Sequence, residues 1–256
     1  MLHILKQSKK LFFMIAGCSA ILFIAGGFLE TVSAQTFTSE DEKVLKGSDS
    51  DAVAEILYKL SDLNESKGKE ALKPAVPALI EALNRELRLP EEERWNLVDI
   101  VKVLSLTGDE RVMPSLLKIM SVMWGGGNPF VAQGFLAIGP STVKMVADSL
   151  KSANPDTRGR AALTLHNMKK YDDSGSFFTK DAFETIKKQL VDNLKDKNTN
   201  VRIYTVVALR SFGDESVLAP LEYVEKNDAH KDSGGTYEVR LEASETIKEI
   251  RARVGK

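Results

Sequence analysis

The chain has 256 residues, of which 43% are hydrophobic and 28% are charged, a composition typical of a globular protein and not of a disordered or fibrous one. Its 35 basic and 36 acidic residues nearly cancel, so no strong positive field favours nucleic acid or an anionic membrane as partner. Cys18 is the single cysteine, which excludes an intramolecular disulfide and a site built from several thiolates.

Residues 1–34 have the pattern of a secretory signal peptide. Lysines at positions 6, 9 and 10 precede an uncharged apolar run over 11–29. Val32 and Ala34 are residues that a signal peptidase accepts three residues and one residue before its cleavage site. We predict cleavage after Ala34. Two alternatives stay open. The apolar run is long enough to remain in the membrane as an uncleaved anchor. Alternatively, Ile15-Ala16-Gly17-Cys18 resembles a bacterial lipobox, in which the cysteine is lipidated. All three place the body outside the cytoplasm, in the periplasm or the extracellular space.

The next segment, 35–47, is mostly polar, and we expect a flexible N-terminal segment there. From residue 48 to 256 the sequence predicts one helical domain. Apolar side chains return three, seven and ten residues after a starting position, which places them on one helical face. This frame begins at Val53, Arg158, Arg202 and Arg240 and recurs in weaker form from Leu97.

A second kind of helix follows the first. Val76-Pro77-Ala78-Leu79 and Met113-Pro114-Ser115-Leu116 share one pattern, with proline in the first turn, where its missing N–H has no helical partner. Gly213 and Asp214 are a stop signal and a capping residue between two such helices. The alternation predicts helix pairs that bury their apolar faces only by stacking on their neighbours.

The segment NVRIYTVVALRSFGD (200–214) resembles the first helix of HEAT-like repeats, including the phycobilisome-lyase type, and AVPALIEAL (75–83) resembles the second. The resemblance covers about residues 48–253, with Thr205 where the family usually has alanine and Arg210 where glycine is common. It implies an all-α, right-handed, armadillo-like α-solenoid of about five helix pairs and a C-terminal capping helix. It also implies a concave surface of second helices.

These observations favour a non-catalytic, exported binding or scaffold module that acts on an unidentified protein partner. We find no catalytic motif, and we expect no catalytic, cofactor-binding or metal-binding residues; His166 and His230 are interpreted as surface histidines. We expect a monomer that binds neither nucleic acid nor a small molecule. Two alternatives stay open: an enzyme subunit or lyase-like accessory factor acting on a partner protein, and a membrane-tethered structural component of the cell envelope.

Candidate contact residues come from three patterns. Trp124 and Phe130 flank three consecutive glycines that predict a flexible loop, where aromatic rings are good contact candidates unless they pack into the core. The predicted second-helix surface carries charges of both signs, with the candidate lysines Lys118, Lys144 and Lys188. The shared frame of Arg158, Arg202 and Arg240 predicts a structural ladder of bonds to neighbouring carboxylates or helix-end carbonyls, the alternative being a row that binds anions.

Overall fold

The computed structural model describes residues 36–122 and 129–255, and within these ranges it contains helices and turns and no β-strand. The prediction of an all-helical protein is therefore confirmed for the described residues. None of their helices combines the length and the apolar character needed to cross a membrane. Ala34, the apolar run over 11–29 and Cys18 lie outside the described residues.

Twelve α-helices follow one another within these ranges. They are α1 (Ser39–Lys46), α2 (Ser50–Lys67), α3 (Val76–Glu86), α4 (Leu97–Leu106), α5 (Met113–Val122), α6 (Pro129–Ile138), α7 (Ser141–Ser149), α8 (Pro155–Tyr171), α9 (Lys180–Asn193), α10 (Thr199–Phe212), α11 (Leu218–Asn227) and α12 (Glu238–Val254). Short 3-10 turns span Lys69–Ala75, Glu91–Glu93, Glu110–Val112 and Glu215–Val217.

The segment 35–47, which we expect from the sequence to be flexible, contains the helix α1 over Ser39–Lys46. Thr38 caps α1, because its hydroxyl accepts from the Asp41 amide at 3.2 Å while its own amide donates to the Asp41 carboxylate at 2.7 Å. Leu45 is fully buried, and Lys59 of α2 forms an ion pair with Asp41 at 2.7 Å. The helix packs against α2 and α3, which gives its short apolar face a partner.

The remaining helices pack in an alternating order. We call α2, α4, α6, α8, α10 and α12 the first helices and α3, α5, α7, α9 and α11 the second helices. Each first helix packs against the next first helix in the chain, from α2 on α4 to α10 on α12. The second helices pack beside them, α3 on α4, α5 on α6 and α8, α7 on α8, α9 on α10, and α11 on α12.

The predicted apolar frame supplies the core. The positions that follow Arg202 at the shared spacing, Thr205, Leu209 and Phe212, are fully buried. The equivalent residues of α8 and α12 are buried too, namely Ala161, Leu165, Met168, Ala243, Ile247 and Ile250. Helix starts agree with the sequence as well: Asn154 caps α8 and Asn198 caps α10, each through its side-chain oxygen.

Small residues allow the closest helix contacts. At Gly134 in α6 an added Cβ would lie 2.9 Å from the Ser105 hydroxyl of α4 and 2.9 Å from a methyl carbon of Leu116 in α5. At Gly213, where α10 ends, it would lie 2.5 Å from the Leu209 carbonyl oxygen and 2.6 Å from Ile250 of α12. Glycine at these two positions therefore fixes how closely neighbouring helices approach.

Candidate binding surface

The three candidate lysines lie on second helices and are exposed. Lys118 of α5 donates to the Asn84 side-chain oxygen of α3 at 3.1 Å, so it bridges neighbouring second helices. Lys144 of α7 pairs with Asp148 one turn later at 2.6 Å, with both side chains mostly in solvent. Contacts of this kind are weak and are easily exchanged for contacts with a partner.

Acidic and apolar side chains occupy the same helices. Glu81 of α3 pairs with Lys46 of α1 at 3.3 Å, and Glu222 of α11 pairs with Arg251 of α12 at 2.6 Å. Met145 and Tyr223 are exposed, the latter by 68%. The second-helix surface is thus a mixture of both charges and isolated apolar groups, a composition found at protein–protein contacts and unlike the basic stripe that binds nucleic acid.

The glycine-rich loop is described only at its end. Trp124 lies outside the described residues. Phe130 stands in the first turn of α6, where it is half-buried and packs against the hydrophobic core. Its ring thus packs against the core while part of its surface stays exposed.

The arginines at the shared position occupy comparable sites. Arg158 of α8 binds Asp196, in the loop before α10, with Nε at 2.8 Å and Nη2 at 3.0 Å. Its Nη1 donates to the carbonyls of Ser152 at 2.8 Å and Ala153 at 3.0 Å, just before its own helix. The guanidinium thus fastens the start of one first helix to the loop that leads into the next.

Arg202 of α10 repeats this arrangement one unit later. Its Nε and Nη2 donate to the Asp228 carboxylate at 2.6 and 3.1 Å, and its Nη1 donates to the Asp196 carbonyl at 2.9 Å. Burial opposes the charged form of Asp228, but hydrogen bonds from Arg202 and the His230 amide outweigh it and lower the pKa of this carboxyl. Asp196 therefore contacts both arginines, through its carboxylate and its carbonyl.

Arg240 of α12 departs from the pattern. Its Nε donates to the Asp228 backbone carbonyl at 2.5 Å, and its guanidinium lies 3.9 Å from the centre of the Tyr237 ring. Arg158, Arg202 and Arg240 together bond to carboxylates or helix-end carbonyls of neighbouring segments. In Arg158 and Arg202 all three guanidinium nitrogens donate inside the fold, whereas in Arg240 the donor that we describe is Nε.

His166 is not an ordinary surface residue. It is half-buried in α8, and its Nδ1 lies 2.9 Å from the Ser211 hydroxyl of α10. Burial lowers its pKa, and the positive charges of Arg210 and Lys170 lower it further, against a small opposing effect of Glu249. The neutral imidazole therefore joins two first helices through a polar contact.

Trp95 is a candidate that sequence reasoning missed. It lies two residues before α4, is 67% exposed, and stands next to Asn96, which is almost fully buried. The Asn96 amide nitrogen Nδ2 donates to the Ser50 carbonyl and hydroxyl, both at 3.1 Å. An isolated tryptophan before an apolar helix looks like a core residue in sequence, but in the structure Asn96 takes the buried place and the indole is exposed.

Comparisons with known proteins add little to this picture. No protein-family model and no curated protein sequence matches the chain. The crystal structure of an engineered protein is similar to it with a TM-score of 0.43 and 19% sequence identity, over 85% of this chain and 98% of the engineered one. Among the described residues, histidine, cysteine and carboxylate side chains form no group of three suited to a metal ion.

Proposed function

We propose that the chain is an exported, non-catalytic module of HEAT-like repeats that binds a protein partner through its second helices. The observation that carries the proposal is the serial packing of first helices, from α2 to α12. Because the first helices bury one another, the outer sides of the second helices, with Lys118, Lys144 and Lys188, stay in solvent. Stacked repeats offer such an extended surface to a partner.

The repeat interpretation is supported by contacts that recur with the sequence frame. Arg158 and Arg202 each bind an aspartate from the loop before the next first helix, and each donates to the carbonyls five and six residues earlier. Recurring contacts between successive units are expected of a solenoid, in which each unit touches mainly its neighbours. A right-handed solenoid of about five pairs, closed by α12, is therefore the architecture that we propose.

Export is proposed from residues 1–34 alone. A basic start, an apolar run and a cleavage motif ending at Ala34 are typical of a signal peptide. The intact mass of the protein recovered from the envelope fraction tests this directly. We expect the mass of a chain beginning at residue 35; an added lipid on Cys18 or a retained N-terminus would instead support a membrane-tethered component.

Binding is tested by reconstitution with a partner identified by affinity capture from envelope extract. We expect the purified partner to bind the wild-type chain in a defined ratio. We expect the triple charge reversal Lys118→Glu, Lys144→Glu and Lys188→Glu to weaken that complex about tenfold or more, because several rim charges change sign together.

The matched control reverses three exposed lysines that lie off the second helices, at positions 69, 170 and 248. This control is expected to bind the partner nearly as well as the wild-type chain does. Equal weakening of both triple variants would show that only net charge matters and would contradict a second-helix site. Failure of the wild-type chain to form any complex would overturn the binding function.

A further inference from the structure

Trp95 and Val98 form an unpartnered apolar pair at the start of α4, with exposures of 67% and 48%. We propose that this pair and the carboxylates around it bind a positively charged segment of a protein partner. The inference rests on the proposed binding function and adds the chemistry of one contact, which lies apart from the second-helix lysines.

The residues on both sides of Trp95 are anchored to the fold by hydrogen bonds. On its C-terminal side, Asn96 bonds to Ser50 of α2, and the Asn96 backbone amide donates to the buried Glu86 carboxylate at 3.2 Å. On its N-terminal side, Arg94 Nε donates to the Leu89 carbonyl at 2.9 Å. Because the backbone that carries the ring is already ordered, a partner that covers the ring need not order this segment as well, which favours a contact residue.

Several carboxylates lie within a few residues of Trp95 along the chain or at the start of the neighbouring helix α2. The 3-10 turn Glu91–Glu93 ends two residues before Trp95, and the Trp95 amide donates to the Glu93 carbonyl at 3.0 Å. Within the described residues these three glutamates form no ion pair, and the same holds for Asp51 and Asp99. The bonds between Asn96 and Ser50 bring the starts of α2 and α4, and thus these acids, together.

The positions of two of these five acids are explained by the helices themselves. Asp51 and Asp99 stand in the first turns of α2 and α4, where negative charge is favoured by the helix dipole. Glu91–Glu93 form a 3-10 turn of three residues, which is too short for a helix dipole to account for three acids. Residues 88–102 carry three positive groups, Arg88, Arg94 and Lys102, against four carboxylates, and Asp51 adds a fifth.

A cationic segment fits this combination best. A lysine or arginine can place its charge over the indole face, where a cation–π contact is favourable, and its alkyl stem on Val98. Further positive charges along the segment would meet carboxylates from two separate stretches of chain, which a single small cation cannot do. An acidic peptide or a nucleic acid would be repelled by the same groups.

The test follows Trp95 fluorescence in the folded protein. The variant Trp124→Phe leaves Trp95 as the sole tryptophan, and it is titrated with a short peptide of alternating lysine and alanine and with its glutamate–alanine counterpart. We expect a saturable change in emission with the lysine peptide that weakens as salt is added, and no change with the glutamate peptide. Equal responses to both peptides would overturn the proposal.

Two variants locate the site, with binding followed by a labelled lysine peptide. Trp95→Ala is expected to weaken binding about threefold to fivefold. The triple change Glu91→Gln, Glu92→Gln and Glu93→Gln is expected to weaken it about tenfold. Circular dichroism checks that each variant is folded, and salt dependence should decrease only for the glutamine variant.

Matched controls use groups of equal exposure elsewhere. Tyr58→Ala removes a ring that is 72% exposed on α2, and Glu65→Gln with Asp173→Asn and Asp156→Asn removes three exposed acids. Unchanged binding in both controls is expected; weakening equal to that of the patch variants would overturn a local site. If lysine-peptide binding fails while the second-helix complex persists, only this inference fails. If that complex fails while peptide binding persists, only the proposed function does.

Discussion

Removal of the Asp228 carboxylate should destabilise the fold by about 3 kcal/mol, because it leaves a nearly buried guanidinium without its charged partner. The Asp228 side chain is 6% exposed and that of Arg202 is 15% exposed, with two hydrogen bonds at 2.6 and 3.1 Å between them. Breaking a buried pair costs about 3–5 kcal/mol. Arg202 would keep its bond to the Asp196 carbonyl, which places Asp228→Ala at the lower end.

The control is an ion pair of similar length in solvent. Asp148→Ala breaks the ion pair with Lys144, in which the lysine side chain is 81% exposed and the aspartate side chain 62%. This substitution should lower the free energy of unfolding by less than about 0.5 kcal/mol. Urea unfolding followed by far-UV circular dichroism at pH 7 gives both free energies if the m-values agree. Losses that are equal within experimental error would refute the argument that burial decides the contribution of these pairs.

The ion pair between Asp228 and Arg202 also predicts how the stability of the fold changes at acidic pH. The pKa of Asp228 is lower in the folded chain than its ordinary value, so its contribution is complete above about pH 4 and is lost as the pH falls through the folded-state pKa. The stability difference between wild type and Asp228→Ala should therefore shrink in acid. A difference that stays constant down to pH 2 would contradict this linkage.

Three further changes test the packing. Thr205→Val should stabilise the fold by about 1 kcal/mol, because the buried hydroxyl finds no hydrogen-bond partner among the described residues. Thr246→Val should destabilise the fold by about 1–2 kcal/mol, because that hydroxyl accepts from Arg210 and donates to the Val206 carbonyl. Calorimetry that finds Thr205→Val destabilising and Thr246→Val stabilising would refute this comparison. Gly134→Ala should lower the free energy of unfolding by about 1–3 kcal/mol, because the added methyl group would overlap Ser105 and Leu116; an unchanged free energy would contradict this close packing. NMR should show His166 titrating below 6.5, with unfolding free energy falling as acid protonates it; a higher pKa would contradict its burial.

Much of the fold could be predicted because its signals are local. The offsets shared by Arg158, Arg202 and Arg240 located three first helices and the side chains that they bury. The chemistry of the arginine contacts, carboxylates or helix-end carbonyls, followed from the guanidinium itself. Solenoid form and handedness remain proposals, since they depend on how small rotations between units accumulate.

What could not be predicted depends on distant packing. The helix α1 carries few apolar residues, and Leu45 becomes a core residue only because α2 and α3 cover it. Arg240 shares the sequence frame, yet within the described residues no helix follows α12 to bring another aspartate, and Tyr237 receives the guanidinium instead. Trp95 is exposed while its neighbour Asn96 is bound to α2, a choice between adjacent residues that depends on a contact distant in sequence.

The proposed function is tested most directly by photo-crosslinking in intact cells. A photoreactive amino acid replaces Lys118, Lys144 or Lys188, one at a time, and in a matched variant replaces Leu241, which is 59% exposed on α12. We predict adducts with the same protein from the second-helix positions and none from position 241. No adduct from any second-helix position, or equal adducts from position 241, would contradict the account.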